Sequence, residues 1–161
     1  MQNHFEKFLL PVKFSIDDDA LEQKYFAFQQ QFHPDRAGVA EIENSMDINE
    51  AYAVLKNPLR RAMHILQLNG INLEEDGGPV KPDFATLESV LEIQEKILDS
   101  SAQEIINLKK ELAVKIKSSI NDAASELENK DFKAAAQFLI KAKYFDKVLC
   151  DLKNLNNKQP G

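Results

Sequence analysis

Few side chains in this chain are of a kind that does chemistry. There are three histidines and one cysteine in 161 residues. The most suggestive grouping is His33-Pro34-Asp35. A histidine beside a carboxylate is the pairing of a general base with its orienting acid. That chemistry also needs a nucleophile, a glycine-rich phosphate cradle or metal-ligand spacing nearby, and the surrounding sequence supplies none. A second use is recognition. Proline locks its own φ, so the flanking polar groups are ordered before a partner arrives and lose little entropy on contact. A third is plain punctuation, with His closing one helix, Pro stopping it and Asp opening the next turn. Residue usage alone produces this tripeptide in about one chain in a hundred of this length, so its surroundings must decide.

Cys150 lies among Val148, Leu149 and Leu152. With no second cysteine it forms no disulfide within the chain, and it is expected as a small core residue. The absence of any CxxC excludes a cysteine zinc site.

A different candidate is a surface rather than a reaction centre. Helical residues advance about 100° each. Over 83–98 this places Val90, Ile93 and Ile97 on one stripe and Phe84, Leu87, Leu91 and Leu98 on another, roughly 120° away. Together the stripes cover about half the circumference, more than a helix in a small bundle commonly buries. Glu88, Glu92 and Glu95 border the second stripe. Either both stripes are core, or the second is an acid-rimmed ridge turned outward for a protein partner. On the last helix the apolar centre runs through Ala142, Phe145, Leu149 and Leu152, which leaves the Tyr144 ring partly exposed.

The elements that position these groups are helices throughout. Gly is scarce, Trp absent, and Ala, Leu, Lys, Glu and Gln abundant. The expected fold is all-α. A short apolar piece, Phe5 to Leu10, stops at Pro11. Ser15 or Asp17 caps a helix bearing Leu21, Tyr25, Phe28 and Phe32, which ends at His33 because proline disfavours helical geometry before it. A third helix runs from about Glu41 to Lys56 with Ile48, Tyr52 and Leu55 on one face. Asn57-Pro58 starts a fourth, carrying Leu59, Ala62, Met63 and Leu66 and closed by Gly70. Breakers and acids from Gly70 to Pro82 separate this unit from a second one. There Asp83 caps a helix to about Leu98. A long helix from about Ser101 to Glu128 carries a seam of Ile105, Leu112, Ile116, Ile120, Ala123 and Leu127. Asn129 is expected as the left-handed residue of the turn and Asp131 as the cap of a last helix to about Leu155. The division is 1–76 and 77–161, the latter an antiparallel three-helix bundle.

Composition excludes several functions. Hydrophobic residues are 43% and charged residues 29%, the profile of a globular chain. The first unit holds 7 Lys+Arg against 13 Asp+Glu and the second 13 of each, so neither offers nucleic acid a basic face. No stretch has membrane-spanning length, and the first ten residues lack a signal-peptide run or presequence arginines. A cytoplasmic protein without membrane contact is expected.

The context of the His-Pro-Asp turn resembles a known family. Phe32-His33-Pro34-Asp35-Arg36 followed by Asp47-Ile48-Asn49-Glu50-Ala51-Tyr52-Ala53-Val54-Leu55 looks like a J domain. Asn57-Pro58-Leu59-Arg60-Arg61-Ala62, Leu91 to Ile97 and Lys143-Tyr144-Phe145-Asp146-Lys147 are similar to the HscB family, J-type co-chaperones of iron–sulfur cluster assembly. The likeness runs in order over nearly the whole chain. It implies no catalytic group, metal or cofactor. It implies that residues 1–76 stimulate the ATPase of a DnaK-class chaperone, HscA, through His33, Pro34 and Asp35, with Lys24 and Arg36 assisting. It implies that residues 77–161 bind the cluster scaffold IscU through Leu87, Leu91, Glu92, Glu95 and Tyr144. The chain departs from the pattern in places. Gln29-Gln30-Gln31 stands where basic residues are common, and Arg36 replaces a lysine. Glu88 replaces a frequent methionine and Tyr144 a phenylalanine. Without the resemblance, a general J-type co-chaperone for unfolded clients and a non-chaperone helical interaction protein remain open.

Overall fold

The structure is a computed structural model that describes residues 2–31, 38–74 and 78–158. The described residues form seven α-helices and no strand. They are α1 (His4–Lys7), α2 (Asp18–Gln31), α3 (Val39–Lys56), α4 (Pro58–Leu68), α5 (Phe84–Leu98), α6 (Ala102–Glu128) and α7 (Phe132–Lys158). The chain divides into two compact units, Met1–Gly70 and Ile71–Gly161.

In the first unit three of the four helices start at a side chain that accepts an otherwise unpaired amide, while α3 starts at Gly38 without one. Asn3 accepts from Phe5, Asp17 from Ala20 and Asn57 from Arg60. Pro58 occupies the first position of α4, where its missing N–H costs nothing. Phe5 and Phe8 of the α1 segment are fully buried, and Phe8 meets Phe28 of α2 edge-on at 5.8 Å. α3 packs on α1, α2 and α4. Its buried line is Ala51, Val54 and Leu55, whereas Ile48 and Tyr52 are only half-buried. The Tyr52 ring lies flat on Tyr25, 3.9 Å between centroids, so it closes the α2–α3 edge rather than filling the centre. α4 is buried nearly all round, from Leu59 through Leu66.

The second unit is built on α6 and α7, which pack along their length as an antiparallel pair. Leu108, Leu112, Ile116, Ile120, Ala123 and Leu127 of α6 face Leu139, Ala142, Phe145, Leu149 and Leu152 of α7. Ile105, expected in the seam, is half-buried, and Leu108 carries that turn instead. The residue with positive φ in the turn is Lys130 (φ 58) and not Asn129, which is right-handed (φ −77). Helix geometry decides this. The amide of Asp131 reaches the carbonyl of Glu126 (2.9 Å) and that of Lys130 reaches Leu127 (3.1 Å). This paired closure puts the left-handed residue one place after the cap. Asp131 then caps α7 by accepting from Ala134. α5 packs on α7.

Candidate functional site

Of the residues singled out for the chaperone contact, His33, Pro34, Asp35 and Arg36 lie outside the described residues. Lys24 does not. Its ammonium is half-buried and donates to the carbonyl of Phe8 (2.8 Å), the residue that closes α1. The helix that precedes the His33-Pro34-Asp35 sequence thus holds its only lysine against its own unit. Its other charges are Asp18, Asp19 and Glu22.

A second cation is held the same way. Arg61 is 6% exposed; one guanidinium nitrogen donates to the carbonyl of Leu55 (2.7 Å) and lies 3.7 Å from Asp18. The group also lies over the Phe14 ring at 4.8 Å. Leu55 stands in the last turn of α3, where carbonyls have no partner within the helix, so Arg61 acts as a C-terminal cap supplied from α4. Burial pushes its pKa down, and Asp18 partly restores it. His64, 4% exposed, accepts the main-chain N–H of His4 at Nε2 (3.1 Å), while its Nδ1 faces Gln67 Oε1 at 3.4 Å. In this arrangement Nε2 carries no proton and Nδ1 does. The His4 ring lies tilted by 32° against that of His64, 4.4 Å between centroids, and its pKa is lowered to about 4, first by burial and then by His64. Sequence periodicity pointed to none of these three residues. Arg60 and Arg61 are adjacent, and nothing in their types says which one turns inward.

The α5 ridge is fully described. Asp83 caps the helix by accepting from Thr86 (2.8 Å), a bond that also lowers the Asp83 pKa. The inner face is Thr86, Val90 and Ile93, all buried, with Ile97 half-buried. Thr86 joins this face because it stands one turn before Val90. On the other face Leu87 is 40% exposed, Leu91 60%, Phe84 78% and Leu98 84%. Glu88, Glu92 and Glu95 are exposed beside them, Glu95 one turn beyond Leu91. Tyr144 is half-buried on α7, the helix on which α5 packs. The structure thus brings Leu87, Leu91, Glu92 and Glu95 onto one outward face, with Tyr144 on the neighbouring helix. Leaving four large apolar side chains exposed on one 15-residue helix is what a protein-binding face does and a solvent face avoids.

Cys150 is exposed, not buried as expected. It lies one residue, about 100°, past the buried Leu149. Its Sγ is 3.9 Å from Asp146 Oδ2, and burial together with that carboxylate pushes the thiol pKa up, away from the reactive thiolate. Among the described residues no group of His, Cys, Asp and Glu could hold a metal ion, and no helix is long and apolar enough to cross a membrane.

Residues 82–153 match the model of the HSCB C-terminal oligomerisation domain. The chain is 32% identical to a co-chaperone protein HscB homolog of Haemophilus ducreyi, covering 98% of each. The chain belongs to the HscB co-chaperone family. The homolog from Acinetobacter baylyi is 34% identical over 93% of this chain and 88% of its own. Among solved structures, human HscB superposes with a TM-score of 0.85 at 26% identity, over 97% of this chain and 83% of that one. HscB from Vibrio cholerae gives 0.79 at 25%, over 98% and 99%. The HscB fold, an N-terminal J domain followed by a C-terminal helical domain, accounts for the seven helices of the described residues.

Proposed function

We propose that this chain is an HscB-type co-chaperone that carries an IscU-type iron–sulfur scaffold to its DnaK-class chaperone, HscA, and stimulates that chaperone's ATPase. The supporting observation is the outward apolar face of α5, kept in the open while the opposite face of the same helix is buried. In this reading residues 77–161 hold the scaffold through Leu87, Leu91, Glu92, Glu95 and Tyr144. The apolar side chains supply affinity, and the carboxylates select a basic patch. Residues 1–76 present His33, Pro34 and Asp35 to the chaperone, with Arg36 beside them. Lys24 contributes by fixing α1 to α2 more than by meeting the partner, since its ammonium already has an acceptor. One chain bearing both contacts raises the concentration of scaffold at the chaperone. No step requires a catalytic group, metal or cofactor on this protein, and the assignment is cytoplasmic.

The test is steady-state ATPase of the purified chaperone with scaffold present. His33→Gln is expected to abolish stimulation while scaffold binding survives. Leu87→Ala/Leu91→Ala/Tyr144→Ala is expected to weaken scaffold binding several-fold to a hundredfold, about 1–3 kcal/mol, with stimulation intact at saturating protein. Full stimulation by His33→Gln sinks the proposal. If denatured model clients compete with the scaffold for the wild-type chain, the protein serves unfolded clients in general.

A further inference from the structure

Helix breakers run from Gly70 to Pro82, yet the second compact unit begins at Ile71. A lysine ties that early stretch down. Lys143 of α7 is half-buried and donates from its ammonium to the carbonyl of Leu73 (2.7 Å), 70 residues earlier in the chain. The Leu73 side chain is 3% exposed. Asn72 turns the stretch by accepting from the amide of Glu74 (2.9 Å). A hydrogen bond from an ammonium to a carbonyl is charge-assisted, and it holds more firmly than a bond between neutral groups.

Upstream, α4 is closed by its own bonds. Asn69 donates its main-chain N–H to Leu66 (2.9 Å) and its side-chain amide to the Ile65 carbonyl (2.8 Å). Gly70 follows at φ 86 and donates to Gln67 (3.1 Å). A Cβ on Gly70 would meet nothing within 4 Å, so this glycine is there for its backbone geometry and not for room. With α4 ending at Leu68 and Leu73 held on α7, the connecting chain is four residues, 69–72. Were Leu73 released, it would extend over fourteen residues, 69–82, to the Asp83 cap of α5. The anchor also sits next to a residue of the proposed scaffold contact. Lys143 immediately precedes Tyr144 on α7, about 100° away around the helix.

We propose that Lys143 is a positioning residue for the coupled action of the two units: it fastens the connecting chain to α7 beside Tyr144 and so keeps the tether between the chaperone-facing and scaffold-facing units short. The inference rests on the scaffold reading above. It goes beyond that reading by giving a role to a residue outside both proposed contacts. A chaperone that grips the first unit and the scaffold together makes a bivalent contact. Its second half forms at an effective concentration that falls roughly as the −3/2 power of a flexible tether's length. Lengthening the tether from four residues to fourteen lowers that concentration about sixfold.

The experiment compares the full-length wild type with Lys143→Met, which keeps the stem and loses the donor, and Lys143→Arg, which restores a donor. Leu73→Ala loosens the same stretch without altering α7 and serves if Lys143→Met does not fold, as thermal melts will show. Three measurements are made. Cleavage after Glu74 by a glutamate-specific protease, followed by mass, reads the anchor alone. It is expected to be about 3–10-fold faster in Lys143→Met and Leu73→Ala and close to wild type in Lys143→Arg. Equal rates in all four proteins overturn the anchor. Calorimetry with the purified iron–sulfur scaffold is expected to give affinities within twofold of wild type. Weaker binding by Lys143→Met with Leu73→Ala unaffected makes Lys143 a scaffold contact and overturns the positioning role. Steady-state ATPase of the purified chaperone reads the coupling. With scaffold present, the concentration of Lys143→Met giving half-maximal stimulation is expected to rise about 3–10-fold at an unchanged maximal rate. Without scaffold it is expected to match wild type, and Lys143→Arg is expected to match under both conditions. An unchanged half-maximal concentration with scaffold present overturns the proposal and leaves the scaffold reading standing. A wild-type chain whose stimulation takes no benefit from scaffold overturns the scaffold reading and the proposal with it, a failure visible before any variant is compared.

Discussion

The two units solve the same packing problem with different materials. In Met1–Gly70 the buried centre includes Arg61 and His64, each bonded to main chain from another stretch of the unit, and the α2–α3 edge is a stacked Tyr25–Tyr52 pair. The Tyr25 hydroxyl there donates to Asn49 (2.6 Å) and accepts from Gln29 (2.8 Å). In Ile71–Gly161 the centre is a hydrocarbon seam, and its buried polar groups are the small hydroxyls of Thr86 and Ser119. Directional bonds fix short helices in one geometry, which a unit with a 4-residue α1 and an 11-residue α4 needs. A seam between two 27-residue helices needs no such bonds. It leaves α5 free to bury one face and offer the other.

The contrast breaks most sharply at Phe145. Phe145→Ala empties the middle of the α6–α7 seam and is expected to cost about 3–5 kcal/mol. Hydrogen exchange on the full chain reads the outcome by position. Protection should fall across α6 and α7 while α3 and α4 keep theirs. Equal loss in both units would mean that they unfold as one body. The counterpart in the first unit is Arg61→Met, which keeps the stem but removes the donor to the Leu55 carbonyl. The expected cost is about 1–3 kcal/mol, read by urea denaturation. A neutral result would show that burying the charge cancels what its bonds supply.

Acid should separate the units as well. The folded pKa of His4 is depressed to about 4 from a usual value near 6.5. The unfolded chain therefore binds more protons between those values, and stability rises with pH across that window. The contribution is complete above about pH 6.5 and is lost as pH falls to about 4. Because His4 is partly exposed, solvent screening makes the effect smaller than the shift alone suggests. Melting temperature measured from pH 7 to 4.5 should fall less for His4→Gln than for wild type. Parallel profiles would remove His4 as the cause.

Most of the frame was legible because caps and breakers are local. Asn57-Pro58, Asp83 and Asp131 each act within three residues, so their positions alone locate the starts of α4, α5 and α7. The second stripe on α5 was legible as a stripe, but periodicity left open whether it was core or surface, and the structure leaves it exposed. What escaped depends on contacts distant in sequence. Lys24 reads as an exposed cation until α1 brings the Phe8 carbonyl to it, 16 residues away. His64 meets His4 across 60 residues. Cys150 was misplaced because its neighbours are apolar, although an apolar run on a helix always includes positions that point outward.

The smallest expected effect tests a feature the units share. Each closes a helix with a non-glycine residue at positive φ, Leu9 (φ 52) after α1 and Lys130 (φ 58) after α6. Both make the paired bonds of that closure, Leu10 to Phe5 (3.0 Å) and Leu9 to Glu6 (3.1 Å) matching those around Lys130. Left-handed geometry costs an L-residue about 1–2 kcal/mol, and glycine escapes that cost at the expense of a more flexible unfolded chain, so a gain of about 0.5–1 kcal/mol is expected from Leu9→Gly. The Leu9 side chain is almost wholly exposed, so little packing is lost. Lys130→Gly should gain less. It also removes a positive charge from the negative end of the long α6, an interaction worth about 0.3–1 kcal/mol at low salt. Raising the salt screens that charge and should bring the two gains together. Thermal melts of both variants at two salt concentrations settle the matter. If the gap between them stays constant, the helix-end charge is not its cause, and the two closures differ in backbone strain instead.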